Sequence, residues 1–325
     1  MSKNNLEDQT LDSLLRPNDW GDYIGQANVK KNLGVIIEAA EIQKEPVDHL
    51  LFYGQAGLGK TTLAVLVAKR LKSPIKITSG AALEKAGDLV AILSNLTEGE
   101  ILFIDEAHRL NPSIEEILYP AMESRRLHIV IGKGVGARTL SLDLPPFTLI
   151  AATTRASLLS SPLRSRFGAA FHLDFYTEED VKKIIGRSAD LLGLKILPEA
   201  VDILAKASRL TPRTANRLLR RARDYMVVNK KKVLDERAAS ESLKLLDLDS
   251  LGLERAERAL LKTIISKFNG GPVGLNTLSA TIGEDRETIE NVFEPYLLKI
   301  GFIKRLPTGR VIQESALEHL AKEEI

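Results

Sequence analysis

The residues best suited to chemistry are a glycine-rich run, Gly54-Gln55-Ala56-Gly57-Leu58-Gly59-Lys60-Thr61, and two acids, Asp105-Glu106, forty-five positions beyond its lysine. The run fits GxxxxGK[ST]. It follows the apolar Leu50-Leu51-Phe52-Tyr53 and opens Thr61-Thr62-Leu63-Ala64-Val65-Leu66, the strand, loop and helix that the pattern requires. Glycines let such a loop curl so that successive N–H groups point at phosphate oxygens, and the helix N-terminus adds its positive end. Lys60 is expected to reach the β and γ phosphates of ATP, and the Thr61 hydroxyl to ligate Mg²⁺. Glu100-Ile101-Leu102-Phe103-Ile104-Asp105-Glu106 reads as an apolar strand ending in two carboxylates. Asp105 would then stand beside the Mg²⁺ and Glu106 beside an attacking water, which a carboxylate can orient and deprotonate; that is the equipment of a hydrolase. The plainer alternative for Asp105 is a helix cap.

Two further motifs fit a nucleotidase. The run Thr148–Ala152 ends in Thr153-Thr154-Arg155, a polar strand tip where a γ-phosphate sensor would sit, with Thr154 favoured over Thr153. Ser161-Pro162-Leu163-Arg164-Ser165-Arg166-Phe167-Gly168 carries two arginines at a turn. A guanidinium there could enter a neighbouring subunit's site and neutralise charge during phosphoryl transfer, or could simply make surface ion pairs. Asp105-Glu106-Ala107-His108 is not read as the box of two-lobed helicases, because no second lobe with its own arginine motif follows.

These groups must be positioned by alternating strands and helices. Leu50–Tyr53, Ile75–Thr78, Ile101–Ile104, Thr148–Ala152 and Ala170–Phe175 read as buried parallel strands, with helical stretches such as Thr61–Leu71 and Ile114–Glu123 between them. The fold class expected is α/β: a three-layer P-loop domain over residues 1–177, a helical domain over 178–250 and a C-terminal unit over 255–325. The chain has 325 residues, a formal net charge of +2 and 27% charged residues, which excludes a disordered, collagenous or coiled-coil protein. No apolar run approaches a membrane span, and the polar start resembles no targeting segment, so a cytoplasmic protein is expected. With no cysteine, and five histidines in no metal-binding spacing, thiol chemistry and a protein zinc site are not expected.

Leu127, Ile129 and Ile131 lead to a tip rich in glycine (Gly132, Gly134, Gly136), and Leu140, Leu142 and Leu144 alternate on the return. This is a hairpin with an apolar face, covered either by its own domain or by a partner. Between Ala205 and Arg237, eleven basic residues face three acids, which reads as a solvated face unless a partner uses it. The last unit reads as a winged helix: a short helix Leu275–Ile282, a longer helix Glu287–Lys299, then strands on either side of Pro307-Thr308-Gly309. Lys304, Arg305 and Arg310 fall on that wing, whereas the second helix carries Glu287, Glu290 and Glu294. The expectation is grip on DNA backbone without base reading, the alternative being a winged helix used for protein contact.

Taken in this order, Gly54–Thr61, Asp105-Glu106, Thr153-Thr154 and Arg166 resemble the AAA+ ATPases, with Leu210-Thr211-Pro212-Arg213 resembling their second sensor. More narrowly, Leu15-Arg16-Pro17, Tyr23-Ile24-Gly25-Gln26, Leu83–Leu89, Leu118–Glu123, Asp143–Ile150, Ala215–Arg221, Gly270–Leu275 and Glu294–Leu297 resemble the RuvB family, ATPases of Holliday-junction branch migration. The resemblance implies that Leu15, Arg16, Tyr23 and Ile24 border the adenine, that Tyr176 closes the pocket, and that Arg213 contacts phosphates from the helical domain. Gly57, Gly59, Lys60, Thr61 and Thr62 would complete the nucleotide site. It also implies a homo-hexamer in which Arg166 acts in trans, four-way junction and duplex DNA as sequence-independent partners, docking of the hairpin on a RuvA-type protein through Leu140 and Leu142, and a RuvC-type resolvase nearby. Three departures stand out: Gln55-Ala56 where the family usually has two prolines, Ala107 for a larger aliphatic residue, and Leu210 for a glycine. The function expected is an ATP-driven DNA motor in recombination and repair. An ATP-switched initiator would need a basic sequence-reading helix, and a clamp-loader subunit should end in an oligomerisation collar; neither is evident in the sequence.

Overall fold

A computed structural model describes residues 14–131 and 138–323 of the chain. The described residues fall into two compact units, Met1–Tyr176 and Thr177–Ile325. None of the described helices is long and apolar enough to cross a membrane.

In the first unit α1 (Ala27–Gln43) precedes β1 (Leu50–Tyr53), α2 (Lys60–Leu71), β2 (Ile75–Ser79), α3 (Ala86–Ser94), β3 (Glu100–Asp105) and α4 (Pro112–Ser124). Then follow β4 (Arg126–Ile131), β5 (Arg138–Asp143), β6 (Phe147–Thr153), the one-turn α5 (Ser161–Arg164) and β7 (Ala169–His172). Five strands form one parallel sheet in the order β2-β3-β6-β1-β7. β6 is buried along its whole length, as a strand covered on both faces must be. The order places the ends of β1, β3 and β6 side by side, so the phosphate loop, the acid pair and the threonine tip converge. Each of the five sheet strands starts within one residue of its expected position. β7 stops early, at His172: the Leu173 N–H still donates to the Tyr53 carbonyl of β1 at 2.8 Å, but the Asp174 backbone is taken by Gln26, whose Nε2 donates to its carbonyl at 2.7 Å and whose Oε1 accepts from its N–H at 3.3 Å.

β4 and β5 pair antiparallel with Leu127 opposite Leu142 and Ile129 opposite Leu140. Leu127 and Leu144 join the core, but Leu140 and Leu142 stay 51% and 38% exposed. Covering by its own domain therefore reaches only the base of the hairpin; the tip at Gly132, Gly134 and Gly136 lies outside the described residues.

The second unit holds α6 (Glu178–Leu191), α7 (Pro198–Lys206), α8 (Pro212–Val228) and α9 (Glu236–Leu245), then α10 (Arg255–Phe268) and α11 (Leu275–Ile282). Thr177, Thr211 and Asp235 cap α6, α8 and α9 with side-chain oxygens, and Pro198 and Pro212 occupy first turns. The expected single helix Glu287–Lys299 is instead α12 (Arg286–Thr288), a π-helical turn (Ile289–Phe293) and α13 (Glu294–Lys299). Pro295 has no N–H to offer the preceding turn, which accounts for the altered bonding. The wing strands β8 (Ile303–Leu306) and β9 (Gly309–Ile312) follow, then α14 (Glu314–Glu323).

Arg209 and Leu210 both have positive φ, 55° and 54°, immediately before α8. A Leu in this region is strained, because its Cβ crowds the following carbonyl, and glycine is not. Leu210→Gly is therefore expected to stabilise the fold by roughly 1 kcal/mol, read as a higher midpoint in thermal or urea unfolding.

Candidate nucleotide site

The loop between β1 and α2 takes its shape from its glycines. Gly54 has φ 142°, and a Cβ there would be driven into the Leu173 carbonyl; Gly59 has φ 93°, and a Cβ there would lie 2.9 Å from Tyr23 Oη. The loop is held from outside as well. Tyr23 Oη and Tyr176 Oη both donate to the Leu58 carbonyl, at 3.5 and 3.3 Å, and Leu58 is itself buried. Burial pushes the Tyr23 phenol well above its usual value, and Tyr176 beside it adds to this, so the ring stays a neutral donor. Lys60, at the first position of α2, donates to the carbonyls of Gly54 and Gln55 at 2.8 Å each.

Across the sheet, Thr61 Oγ1 donates to Asp105 Oδ2 at 2.7 Å, while Asp105 Oδ1 accepts from the Glu106 N–H at 2.9 Å. The helix-cap alternative for Asp105 is thereby disfavoured, since its oxygens serve the loop threonine and its own neighbour. Glu106 has φ 49°, unusual for a residue with a side chain, and its exposed carboxylate pairs with Arg109 at 3.3 Å. A strained backbone beside reactive groups is a common mark of a working site.

Of the two threonines, Thr153 is buried and already employed. His108 Nδ1 lies 3.0 Å from its hydroxyl, and the Arg155 N–H donates to it at 3.0 Å. Thr154 is exposed, one residue past the strand. Burial, and after it the charge of Arg155, lowers the pKa of His108, which keeps the imidazole neutral at pH 7. The sequence reading missed this contact, and missed Gln26 too. Gln26, with φ 52°, clasps Asp174 through both ends of its amide, the signal being a polar residue where a helix cap would stand. Of the expected adenine border, Leu15 and Tyr23 are buried, Ile24 is half-buried and Arg16 is exposed. Thr62 is half-buried in the first turn of α2.

Arg166 is less free than its turn suggested. Its guanidinium lies 4.6 Å from the centre of the Tyr119 ring, Nη2 pairs with Glu123 at 2.9 Å, and Nη1 donates to the Pro162 carbonyl at 2.6 Å. A cleft of about 390 Å³ opens beside it, lined by His49, Met122, Arg125 and Phe147 among others. Arg213, in the first turn of α8, is exposed.

On the wing the expectation needs correction. Arg310 does not face solvent: its Nε donates to Glu294 Oε1 at 2.6 Å, with side chains only 12% and 1% exposed. Arg305 pairs with Glu294 as well, and with Glu290 at 3.6 Å. The acidic helix is thus largely neutralised by its own wing, so its charge is a poor argument against nucleic acid. Spacing could not reveal this, because the two arginines lie directly opposite each other in the β8–β9 register and close on one buried carboxylate. Lys304 is exposed.

A parallel sheet in this order, with its phosphate loop after β1, acids after β3 and a threonine tip after β6, followed in the chain by a helical bundle, makes the protein an AAA+ ATPase. Three family models account for nearly the whole chain: "Holliday junction DNA helicase RuvB P-loop domain" over residues 15–173, "RuvB AAA lid domain" over 176–249 and "RuvB C-terminal winged helix domain" over 250–321. The chain belongs to the RuvB family. It is 52% identical over 315 residues to the Holliday junction branch migration complex subunit RuvB of Fusobacterium nucleatum, covering 97% of this chain and 95% of that one. Among solved structures it resembles the Thermotoga maritima RuvB Holliday junction branch migration motor, at 46% identity and a TM-score of 0.86, over 95% of this chain and 98% of that one.

Proposed function

We propose that this protein is an ATP-hydrolysing motor that drives branch migration of Holliday junctions in recombination and repair. The observation that carries this is the hydrogen-bonded Thr61–Asp105 pair with Glu106 next to it, in a chain of the RuvB family. Functionally the chain divides into an ATPase domain (residues 1–177), a lid (178–250) and a DNA-binding head (255–325). It works in the cytoplasm as a homo-hexamer on four-way junction and duplex DNA, with a RuvA-type partner docked on Leu140 and Leu142 and a RuvC-type resolvase acting on the same junction.

The loop N–H groups and Lys60 hold the triphosphate, with the adenine bordered by Leu15, Arg16, Tyr23, Ile24 and Tyr176. The donor set fits Mg²⁺, which keeps waters and phosphates as most of its ligands and needs few protein oxygens; Thr61 Oγ1 and Asp105 offer them. When bound, the ion would supply charge neutralisation to the phosphates. Glu106 orients a water and takes its proton, Thr154 reads the γ-phosphate, and Arg166 of the adjacent subunit stabilises the departing charge after leaving Glu123. Arg213 couples the nucleotide to the lid.

Lys304 and Arg305 grip DNA backbone. Lys304→Ala is expected to weaken binding equally on unrelated duplex sequences and to lower the slope of log affinity against log salt by about one. Arg310→Ala should instead lower thermal stability by roughly 3 kcal/mol, since it strips a partner from a buried carboxylate. The test of the whole reading is ATP hydrolysis with and without four-way junction DNA and a RuvA-type protein, while following conversion of junction to duplex. Conversion requiring ATP and the partner is expected. DNA-stimulated hydrolysis without strand movement would favour a nucleotide switch or a loader instead.

A further inference from the structure

Residues 247–254 join the helical bundle to the winged helix, and their side-chain bonding is that of a laced joint. Asp249 is buried; its Oδ1 accepts from the N–H groups of Leu251 and Leu253 at 3.0 and 2.8 Å, and its Oδ2 meets His319 Nε2 at 2.9 Å. Tyr296 Oη donates to the Leu251 carbonyl at 2.9 Å. Arg258 Nη1 donates to the carbonyls of Asp247 and Leu253 at 3.0 and 2.6 Å. A hinge that opens easily shows solvated backbone and few such ties. Here α10, α13 and α14 all reach the connecting segment.

At the centre is Arg209. Its Nη1 and Nη2 grip the two carboxylate oxygens of Glu257 on α10 at 3.1 and 2.7 Å, and Nη2 also donates to the Val292 carbonyl at 3.2 Å. Its guanidinium lies 5.0 Å from the centre of the Tyr296 ring. Glu257 is fully buried and accepts in addition from the Glu254 N–H at 3.0 Å. Arg213 stands four residues after Arg209, in the first turn of α8. One short stretch therefore carries the arginine assigned to the nucleotide and a two-pronged clamp into the winged helix. A bidentate pair admits one geometry and does not slide, and the best-attested use of buried ion pairs is to fix a register.

We infer that Arg209 is a positioning residue that locks the helical bundle and the winged helix into one lever, so that displacement at Arg213 reaches the wing without being absorbed at residues 247–254. The inference rests on the motor reading above. Burial pushes the Glu257 carboxyl up to about 7, against the opposing pull of Arg209 and the Glu254 N–H; the Glu254 and Asp249 charges raise it further, and the Tyr296 ring faces the same cluster. Glu257 is therefore ionised, and the clamp fully charged, above about pH 7; as pH falls through that value the carboxylate is protonated and the clamp weakens.

The test uses the full chain with four-way junction DNA and a RuvA-type protein, and reads ATP consumed per junction converted. In Arg209→Met and Glu257→Gln, ATP affinity and DNA-free hydrolysis are expected within about twofold of wild type, while ATP consumed per junction rises about tenfold. The same variants should become cleavable by protease within residues 247–254. In wild type the ratio should rise as pH is lowered from about 8 to about 6, whereas Glu257→Gln should give a flat, high ratio. A wild-type ratio in both folded variants overturns the inference while leaving the motor reading intact. Wild-type protein that hydrolyses ATP but converts no junctions brings down both. If neither variant folds, Arg209→Lys, which keeps the charge but not the two-pronged grip on Glu257, should still raise the ratio, and no rise overturns the inference.

Discussion

Glu106→Gln is expected to bind ATP and DNA as the wild type does while losing turnover by a factor of roughly 10²–10⁴. The amide keeps the shape and can still accept a hydrogen bond from water, but it cannot take a proton. The residue sits on a left-handed turn directly after β3, and Asp105 Oδ1 fixes its N–H, so the substitution leaves the local backbone geometry in place. Single-turnover measurement with labelled ATP, beside an equilibrium binding titration, separates the two effects. Turnover near the wild-type rate would remove Glu106 as the base. Arg109 supplies an internal comparison: it meets the same carboxylate at 3.3 Å, and its removal should lower turnover modestly rather than abolish it.

Arg166→Ala is expected to cost on the order of 10³-fold in turnover with ATP binding retained, the loss typical of a transition-state arginine. Because the arginine is proposed to serve the neighbouring subunit, mixtures with wild type should fall below the sum of their parts. Activities that add in proportion to composition would place the arginine in its own site or outside catalysis. The single chain shows where the side chain rests: on the Tyr119 ring, between Glu123 and the Pro162 carbonyl. Entering a neighbour's site means leaving at least the Glu123 contact. That contact is with a half-exposed acid, and a partly solvated pair costs about 1 kcal/mol or less to break.

Much of the fold was legible because its elements are short and strongly patterned. β1 matches the expected Leu50–Tyr53, and β3 and β6 differ by single residues at each end, since a strand buried on both faces must be an unbroken apolar run. The phosphate loop and the acid pair were legible because local chemistry dictates both their types and their spacing. What sequence could not supply was the outcome of competition between charges distant in the chain. Lys304, Arg305 and Arg310 look alike on paper, yet the register of the wing and the burial of Glu294 leave Lys304 to solvent and take Arg310 inside. Arg209 was one cation in a basic run until Glu257, forty-eight positions away, proved to be its partner. The same run also contains Arg221, tied to Asp224, and Lys231, tied to Asp235, so much of its nominal charge is satisfied nearby.

The two tyrosines that share the Leu58 carbonyl change what variation at the phosphate loop should mean. Prolines at positions 55 and 56 would stiffen such a loop from within; here Gln55 and Ala56 do not, and the restraint comes from Tyr23 and Tyr176, which lie at opposite ends of the unit's sequence. Order in the loop is in that sense borrowed. A chain built this way can tolerate drift at positions 55 and 56 at little cost, while a change at either tyrosine would loosen a segment more than thirty residues away.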